Sequence, residues 1–362
     1  MSNKLEEARK IINEVDAQMA ELFVKRMRAA EMVFEHKKEL GLPILDQQRE
    51  DAVIERNSAL VEDEVLKGYY MDYMKHLMSV SRAYQYRMQS GLKVAYSGVE
   101  GAFAYIAAGR IFPAGNRVSY SDFKAAYDAV VRGESDVAVL PIENSYAGEV
   151  GQTMDLIFSG GLFINGIYEL EIHQNLLGLP DATVEDIKKV TSHPQALSQC
   201  HEYIKMRGFV AEEANNTALA AKTVAEANDK SLGAIASVET AEIYGLKVLE
   251  ANVNKSGENT TRFAVLSKVK ANSPSLTSTV LMFTVKHEAG SLANAIGIIG
   301  QYGYNMTALH SRPMKKHSWQ YYFYVEIDGA TDTENGAQMI EELGTVCDQL
   351  KVAGGFAPHT EL

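Results

Sequence analysis

The sequence is poor in cysteine, tryptophan and proline, and its basic residues are outnumbered by acidic ones. Its 362 residues include two Cys, one Trp and eight Pro, with 35 Lys and Arg against 47 Asp and Glu. Cys200 and Cys347 belong to no CxxC motif or Cys/His cluster, which argues against a disulfide framework or a zinc site. A net charge of -12 argues against a nucleic-acid surface, which needs a basic stripe. A small anionic substrate would need local clusters of Arg and Lys.

Long apolar runs and glycine-rich phosphate motifs are also missing. No run of about 18 apolar residues occurs, and the N-terminus has no apolar signal-peptide segment. We therefore expect a reduced, cytoplasmic protein that does not enter a membrane. There is no GxGxxG and no GxxxxGK[ST], and GVEG at 98–101 is too short to serve. We expect neither a nucleotide cofactor nor a metal.

The first 90 residues have a helical pattern. Residues 4–40 contain no Pro or Gly, and their apolar positions recur every three or four residues. They predict one helix of about 55 Å, followed by helices at 47–59 and 64–89. So long a helix exceeds what a small domain can bury, and we expect it to pack against a partner chain.

The pattern changes to α/β after Gly91. Strand, polar loop and helix alternate, which predicts a mostly parallel sheet with ligands beyond the carboxyl ends of its strands. NTTRF, at 259–263, differs because its polar cluster precedes a strand. NTTRF would lie beside those ligands only if the chain crosses back to the same edge of the sheet. The alternative is that NTTRF is polar simply because the start of its strand is exposed.

A Ser/Pro linker at 270–278 separates the last segment. The remaining pattern reads strand, helix, strand, strand, helix, strand. That order predicts a ferredoxin-like α+β domain.

Cations lie within the apolar stripe of the first helix. Arg26 and Lys37 are separated by 11 residues and share one face, and buried cations must be paired or bind an anion. Arg9 lies about 25 Å from Arg26, so one ligand touches both only if Arg9 comes from a second chain. Each residue has an ordinary alternative. An isolated Arg or Lys is usually solvated, and Asp46 is placed to cap the second helix.

LEEARKIINEVDAQMAELFVKR, PILDQQRE and SRAYQ resemble the all-helical chorismate mutases, which bind chorismate in an intertwined dimer. The resemblance implies that carboxylates are bound by Arg26, Arg49 and the partner chain's Arg9. It places Lys37 and Gln85 at the ether oxygen. It assigns the substrate hydroxyl or carboxylates to Asp46, Glu50 and Ser81. Chorismate mutases rearrange chorismate without a cofactor. The reaction needs the substrate in a compact conformer, and hydrogen-bond donors at the ether oxygen, where negative charge develops.

VAYSGVEGAFAYIAA, VLPIENSYAGEV, SHPQALSQC and NTTRFAVLSK resemble the prephenate dehydratases over residues 93–268. The resemblance implies a two-lobed, periplasmic-binding-protein-like α/β domain with its site in the cleft. Thr261 matches a threonine required for activity and would help protonate the departing hydroxyl. Arg262 would hold a carboxylate, and Phe263 would pack beside the ring or in the core. Substrate orientation would fall to Asn144, Ser145, His193 and Gln195.

Two qualifications apply to the dehydratase motifs. Ala102 and Ala104 stand where the family usually has Thr and Ser, so a hydroxyl contribution from that loop is in doubt. The PIENS segment is also compatible with a simple polar turn, and His193 with a helix start that serves no substrate.

HEAGSLANAIGIIGQYGYNMTALHSRPMKK resembles the phenylalanine-sensing ACT domain. The family's two ligand-binding segments correspond to Gly290, Ser291 and Leu292, and to His310, Ser311, Arg312 and Pro313. Ala289 replaces a common proline and His310 replaces a glutamate, so sensing is weakened, retuned or lost. A domain kept only for dimerisation is the alternative.

Together the resemblances imply a bifunctional enzyme of phenylalanine biosynthesis. The expected domains are a mutase at 1–90, a dehydratase at 92–269 and an ACT domain at 277–358. Chorismate and prephenate would be substrates, L-phenylalanine the effector, and the assembly a homodimer or homotetramer. Two alternatives stay open. One is a mutase fused to a prephenate dehydrogenase, which the missing nucleotide-binding glycines disfavour. The other is a non-catalytic amino-acid sensor.

Overall fold

A computed structural model describes residues 2–254, 259–314 and 320–362. The chain divides into two compact units, 1–91 and 92–362. None of the helices in the described part of the chain is long and apolar enough to cross a bilayer.

The first unit is all-helical, as the sequence predicts. It consists of α1 (Ser2–Glu39), α2 (Gln47–Ser58) and α3 (Glu64–Ser90). Asp46 caps α2, because its carboxylate accepts a hydrogen bond from the Arg49 backbone N–H at 3.0 Å. Ile54, Met74 and Met78 form the small core of this unit. Many apolar side chains of α1 stay exposed, including Leu5, Ile11, Ile12, Val15, Met19, Leu22 and Phe23.

The second unit begins with an α/β region of two lobes. The first lobe starts with β1 (Lys93–Ser97), α4 (Phe103–Ile111), β2 (Asn116–Tyr120), α5 (Phe123–Arg132), β3 (Val137–Asn144), β4 (Gly148–Glu149), α6 (Gly151–Ser159) and β5 (Phe163–Glu171). The second lobe contains β6 (Asn175–Gly178), β7 (Lys189–Ser192), α7 (Pro194–Gln199), α8 (His201–Arg207), β8 (Val210–Glu213), α9 (Thr217–Ala227), β9 (Leu232–Ala236), α10 (Val238–Tyr244) and β10 (Lys247–Glu250). The chain then returns to the first lobe as β11 (Thr260–Ser267).

Only part of each lobe's sheet is parallel. The prediction holds for β1, β2 and β3 and for β7, β8 and β9. It fails where the chain passes between lobes, because β11 runs antiparallel to β3 and β5, and β6 antiparallel to β9. The antiparallel return of β11 places Thr261 opposite Asn144, at the carboxyl end of β3. NTTRF therefore reaches the cleft although it precedes its own strand.

The last part of the chain has the predicted strand and helix order. It comprises β12 (Ser278–Val285), α11 (Ser291–Gln301), β13 (Met306–Pro313), β14 (Tyr321–Asp328), α12 (Glu334–Val346) and β15 (Cys347–Phe356). We call these elements the small domain. The helical spacing of residues 334–350 predicts a helix through Leu350, but α12 ends at Val346, because residues from Cys347 onward pair with β12. Strand pairing there overrides the helical spacing, and β-branched Thr345 and Val346 weaken the helix before it.

The small domain packs on the first lobe. Along β14, Phe323, Val325 and Ile327 face α11 and α12, while Tyr322 and Tyr324 join the core of the first lobe. The backbones also meet where β15 pairs with β5 at Gly354 and Ile164. Only glycine fits there, since a Cβ on Gly354 would lie 1.9 Å from the Ile164 carbonyl oxygen.

Two candidate active sites

The helical unit contains a cavity of about 500 Å³ lined by side chains of all three helices. Seven of the eight residues singled out in this region lie on it: Arg26, Lys37, Asp46, Arg49, Glu50, Ser81 and Gln85. Because α1 and α3 are separated in sequence by α2, only the packed bundle brings these positions together. Arg9 lies outside the cavity and is exposed in the single chain.

Three cations of the cavity, Arg26, Lys37 and Arg49, are not neutralised by its carboxylates. Lys37 Nζ donates to the Ile44 carbonyl oxygen at 2.7 Å, and Arg26 donates to the Ser81 hydroxyl. Gln85 Nε2 donates to the Ala30 carbonyl oxygen at 3.1 Å. Among the described residues, neither Arg26, Lys37 nor Arg49 forms a salt bridge with a protein carboxylate within 4.0 Å. These cations are therefore available to a small anion.

Three polar residues that line this cavity were missed by the sequence reasoning: Arg56, Asn57 and Arg82. Arg82 forms a salt bridge with Glu50, and both side chains are largely shielded from solvent. A signal was present in the sequence, because Arg82 adjoins Ser81 and lies three residues before Gln85 on the same helix. The Glu50 carboxylate is thus oriented by a cation on the facing helix.

A second cavity, of about 330 Å³, lies between the two lobes of the α/β region. Its lining includes four predicted residues, Asn144, His193, Gln195 and Thr261. It also includes amide side chains that the sequence reasoning missed: Gln174, Gln199, Asn216 and Asn259. Asn259 is the first residue of the NTTRF motif, so the motif could have predicted its place in the cleft.

Asn144 is the centre of the hydrogen-bond network in this cleft. Its Oδ1 accepts from the backbone N–H groups of Tyr146 and Ala147 at 3.1 and 2.9 Å, and from Gln195 Nε2 at 3.0 Å. The two backbone donors fix which end of the amide is the oxygen. The Asn144 Nδ2 group therefore points toward Thr261 and Asn259, and it donates to Thr261 Oγ1 at 3.0 Å.

This network decides which way the Thr261 hydroxyl is directed. Because Thr261 Oγ1 accepts from Asn144, its own hydrogen is free to donate elsewhere. Within the described residues, that hydroxyl donates to no protein acceptor. Thr261 also lines the cavity, so its hydrogen is available to a ligand in the cleft.

His193 and Gln195 reach the cleft from the second lobe. His193 caps α7, with Nδ1 accepting from the Gln195 backbone N–H at 3.2 Å. Burial lowers the pKa of His193, and the opposing charge of Glu213 does not restore it. The imidazole is accordingly neutral near pH 7, the form that can accept this bond.

The structure corrects the expectation for Arg262 and selects one of the two positions expected for Phe263. Adjacent residues of a strand face opposite sides of the sheet, so Arg262 cannot share the cleft with Thr261. The Arg262 guanidinium does hold carboxylates, but they are those of Glu143 and Glu326. Phe263 lies in the core at 1% exposure, which is the second of its two expected positions.

Neither Ser145 nor the loop of Ala102 and Ala104 provides a hydroxyl group in the cleft. Ser145 is exposed and does not line the cavity; its Oγ accepts from the Thr260 backbone N–H at 3.0 Å and so fixes the start of β11. Ala102 does line the cavity, whereas Ala104 is buried in the neighbouring core. Neither supplies a hydroxyl.

The segments expected to bind phenylalanine are divided between two environments. His310 Nδ1 lies 3.0 Å from a Glu149 oxygen, and Arg312 Nε lies 3.4 Å from an Asp155 oxygen, both in the first lobe. Ser311 and Pro313, on the opposite face of β13, are exposed. Gly290 precedes α11 with φ of 86°, a conformation that favours glycine there.

Two family models match the chain in separate regions. The chorismate mutase type II family matches residues 8–86, and the prephenate dehydratase family matches residues 94–271. A bifunctional chorismate mutase/prephenate dehydratase from Aquifex aeolicus is 31% identical over 359 residues, which cover 98% of each chain.

Solved structures match the second unit. A structure described as a quorum-quenching acylase, GqqA, is 30% identical with a TM-score of 0.68, covering 73% of this chain and 97% of that one. Prephenate dehydratase from Arthrobacter aurescens in complex with L-Phe also has a TM-score of 0.68. At 24% identity, covering 74% of this chain and 90% of that one, it bears on the fold alone. The full-length match and the two family models show that this chain belongs to the bifunctional chorismate mutase/prephenate dehydratase family.

Proposed function

We propose that the helical cavity rearranges chorismate to prephenate and that the cleft converts prephenate to phenylpyruvate. The observation that carries the second assignment is the Thr261 hydroxyl, whose oxygen accepts from Asn144 while its hydrogen is free for a ligand. The unpaired cations of the helical cavity support the first assignment, because chorismate is a dicarboxylate.

In the helical cavity, Arg26 and Arg49 hold the two carboxylates, with Arg9 of a second chain completing the site. The breaking ether bond places negative charge on its oxygen, and Lys37 and Gln85 supply donors there. The reaction is an isomerisation, so no group enters or leaves. The Asp46 and Glu50 carboxylates can only accept and therefore contact the substrate hydroxyl, whereas Ser81 contacts the hydroxyl or a carboxylate. Arg82 holds Glu50 in place.

In the cleft, loss of the ring carboxylate as carbon dioxide leaves an electron pair that makes the ring aromatic. The same shift breaks the ring carbon–hydroxyl bond, and a proton must reach the departing oxygen to release water. Thr261 donates a hydrogen bond to that oxygen and assists its protonation. Asn144 keeps the Thr261 hydroxyl directed at the substrate. His193 and Gln195 line the opposite side of the cleft.

The assembly is a homodimer or a homotetramer in which α1 packs against a second chain. The exposed apolar side chains of α1 support this, since burying them requires a partner surface. So does the position of Arg9 outside the cavity of its own chain.

The small domain is an ACT domain through which L-phenylalanine regulates dehydration. Its strand and helix order and the L-Phe complex of the Arthrobacter aurescens protein support this assignment. The ligand-binding segments are the residues around Gly290 and the exposed face of β13 near Ser311 and Pro313.

The test follows the products formed from chorismate by the purified chain and by Thr261→Ala, without added cofactor. The wild-type chain should form phenylpyruvate. Thr261→Ala should form prephenate at the normal rate while dehydration falls by about 10²-fold or more, the usual contribution of a proton donor. Normal dehydration in Thr261→Ala would refute its assigned role. Untouched chorismate with the wild-type chain would favour the non-catalytic sensor.

A further inference from the structure

A buried group of charges joins the small domain to the strand that carries Thr261. Arg262 of β11 pairs with Glu326 of β14 through two hydrogen bonds, from Nη1 to Oε1 and from Nη2 to Oε2, each 2.9 Å long. Glu326 is only 3% exposed. The Tyr324 hydroxyl donates to the same Oε1 at 2.6 Å, so the carboxylate is held from two sides.

Strand register places further carboxylates around the same guanidinium. Glu143 on β3 and Glu169 on β5 lie directly opposite Arg262, on the same face of the sheet. Arg262 Nη1 donates to Glu143 at 3.1 Å, and Nε lies 4.0 Å from a Glu169 oxygen. Burial opposes the charge on Arg262, but the hydrogen bonds and charge of Glu326 outweigh it and raise the pKa of the guanidinium. Arg262 is therefore a fixed cation held by carboxylates of three other strands, its sheet neighbours β3 and β5 and the small-domain strand β14.

The opposite face of these strands is the cleft. Thr261 and Asn144 are the immediate neighbours of Arg262 and Glu143 in sequence, and they lie opposite one another in the register. A displacement of Arg262 therefore moves the backbone that carries Thr261. Because Asn144 orients the Thr261 hydroxyl at 3.0 Å, a small change in the register alters the direction of that donor.

A second set of contacts holds the other side of the Asn144 loop. Glu149 of β4 pairs with the β3 strand beside Glu143, and His310 Nδ1 lies 3.0 Å from its carboxylate. Arg312 contacts Asp155 on α6, which follows the same loop. The small domain thus touches both strands behind the cleft, β11 through Glu326 and the β3–α6 segment through β13.

We infer that Glu326 of the small domain is a positioning residue for dehydration, acting through Arg262 on the orientation of Thr261. Among the described residues, Glu326 forms no side-chain hydrogen bond with a residue that lines the cleft, so its effect is on geometry and not on substrate binding. The small domain is accordingly part of the scaffold of the dehydratase site. This inference rests on the proposed dehydratase activity of the cleft.

The test measures kcat and KM for prephenate in the full-length chain and in Glu326→Gln. That variant should lower kcat by about tenfold or more, because misplacing a catalytic group by 1 Å can cost about 10²-fold in rate. KM should stay within about threefold, since the cleft lining is intact. Chorismate rearrangement by the same chain should stay normal and reports that the protein is folded.

Glu342→Gln is the matched control. Glu342 is also a small-domain carboxylate that accepts from a tyrosine hydroxyl, that of Tyr302 at 2.8 Å, but it is exposed and lies on α12. Its kcat should equal that of the wild type. Hydrogen exchange of the 259–263 segment should speed up in Glu326→Gln alone.

If Glu326→Gln does not fold, Tyr324→Phe decides the question, because it removes only the hydroxyl that holds Glu326. A loss of about threefold in kcat is expected from one lost hydrogen bond to this carboxylate. Wild-type kcat in either folded variant overturns the inference while leaving the dehydratase assignment intact. Absence of prephenate turnover in the wild type refutes the dehydratase assignment itself.

Discussion

Asn144 and Thr261 show how one amide can set the direction of a hydroxyl. Backbone donors fix the Asn144 oxygen, the amide nitrogen then points at Thr261, and the threonine hydrogen is left for the cleft. The hydroxyl is oriented before the substrate binds, which reduces the reorganisation needed in the reaction.

His193 gives the dehydratase site a defined pH dependence. Burial lowers its pKa below the usual value of about 6.5. The neutral imidazole is thus favoured by folding, and its contribution to stability is complete above about pH 6.5 and is lost as the pH falls through the folded value. Below that value Nδ1 carries a proton and no longer accepts from the Gln195 backbone.

The dehydratase kcat/KM should therefore fall on the acid side with an apparent pKa below about 6.5. His193→Asn retains a capping acceptor that does not titrate, so this acid limb should disappear in the variant. The measurement is a pH profile with a no-enzyme blank at each pH. An unchanged acid limb in His193→Asn would assign the titration to another group.

The sequence could have excluded a shared role for Thr261 and Arg262 at one substrate. Thr261 and Arg262 are neighbours in a predicted strand, and strand neighbours face opposite sides. The two side chains therefore could not both contact one substrate in the cleft. The alternation alone therefore predicts that Arg262 points elsewhere, although not that Glu326, 64 residues later, is its partner.

Among the described helices and strands, α1 has the most exposed large apolar side chains. Its 38 residues carry a row of exposed apolar side chains, and Arg9 lies outside the cavity that contains Arg26. The hydrophobic spacing predicted this helix well because periodicity is a local property. The surface that would cover its exposed apolar side chains depends on contacts that are not local.

Co-expression of Arg9→Ala and Arg26→Ala chains tests the shared site. Each variant alone should lose chorismate rearrangement, because every site lacks one carboxylate-binding cation. The co-expressed preparation should recover about a quarter of wild-type activity, since random pairing makes about half of the dimers mixed and each mixed dimer holds one intact site of two.

Two outcomes would contradict a site shared between chains. One is full activity in Arg9→Ala alone, and the other is no recovery in mixed dimers whose formation is confirmed by two affinity tags. Dehydration of added prephenate by the same preparations serves as the control for folding.

The crossing strand β11 is the element that sequence reasoning described least completely. Its residues predict a strand, but the direction of that strand in the sheet depends on how the chain returns from the second lobe. The antiparallel return brings the beginning of β11 to the end of β3. A polar cluster before a strand thereby reaches the same edge as the polar loops that follow other strands.

At the scale of the whole molecule, the small domain is joined to the first lobe by a shared core and by buried charges. Tyr322 and Tyr324 pack into the core of that lobe, and Glu326 pairs with Arg262. A ligand that changed the geometry of the small domain would therefore act on the strands behind the cleft. Coupling of this kind requires the ligand to bind two arrangements with different affinity.

L-Phenylalanine should lower prephenate dehydration while chorismate rearrangement stays unchanged. A shift of about fivefold or more in the apparent KM or kcat is expected from an ordinary coupling energy of 1–3 kcal/mol. The measurement is the initial rate with prephenate at increasing L-phenylalanine, with D-phenylalanine as the control. Equal rates with both enantiomers would favour a domain retained only for assembly.

Local hydrophobic spacing and motifs were enough to predict the helices, most of the strands and many of the side chains at each site. Packing between distant segments fixed which of those side chains meet. It gathered six cavity residues from three helices and Asp46 from the cap of α2, placed Thr261 in the cleft, and directed Arg262 toward Glu326. Strand direction and interdomain packing arise from contacts between residues far apart in the chain, and no local pattern encodes those pairings.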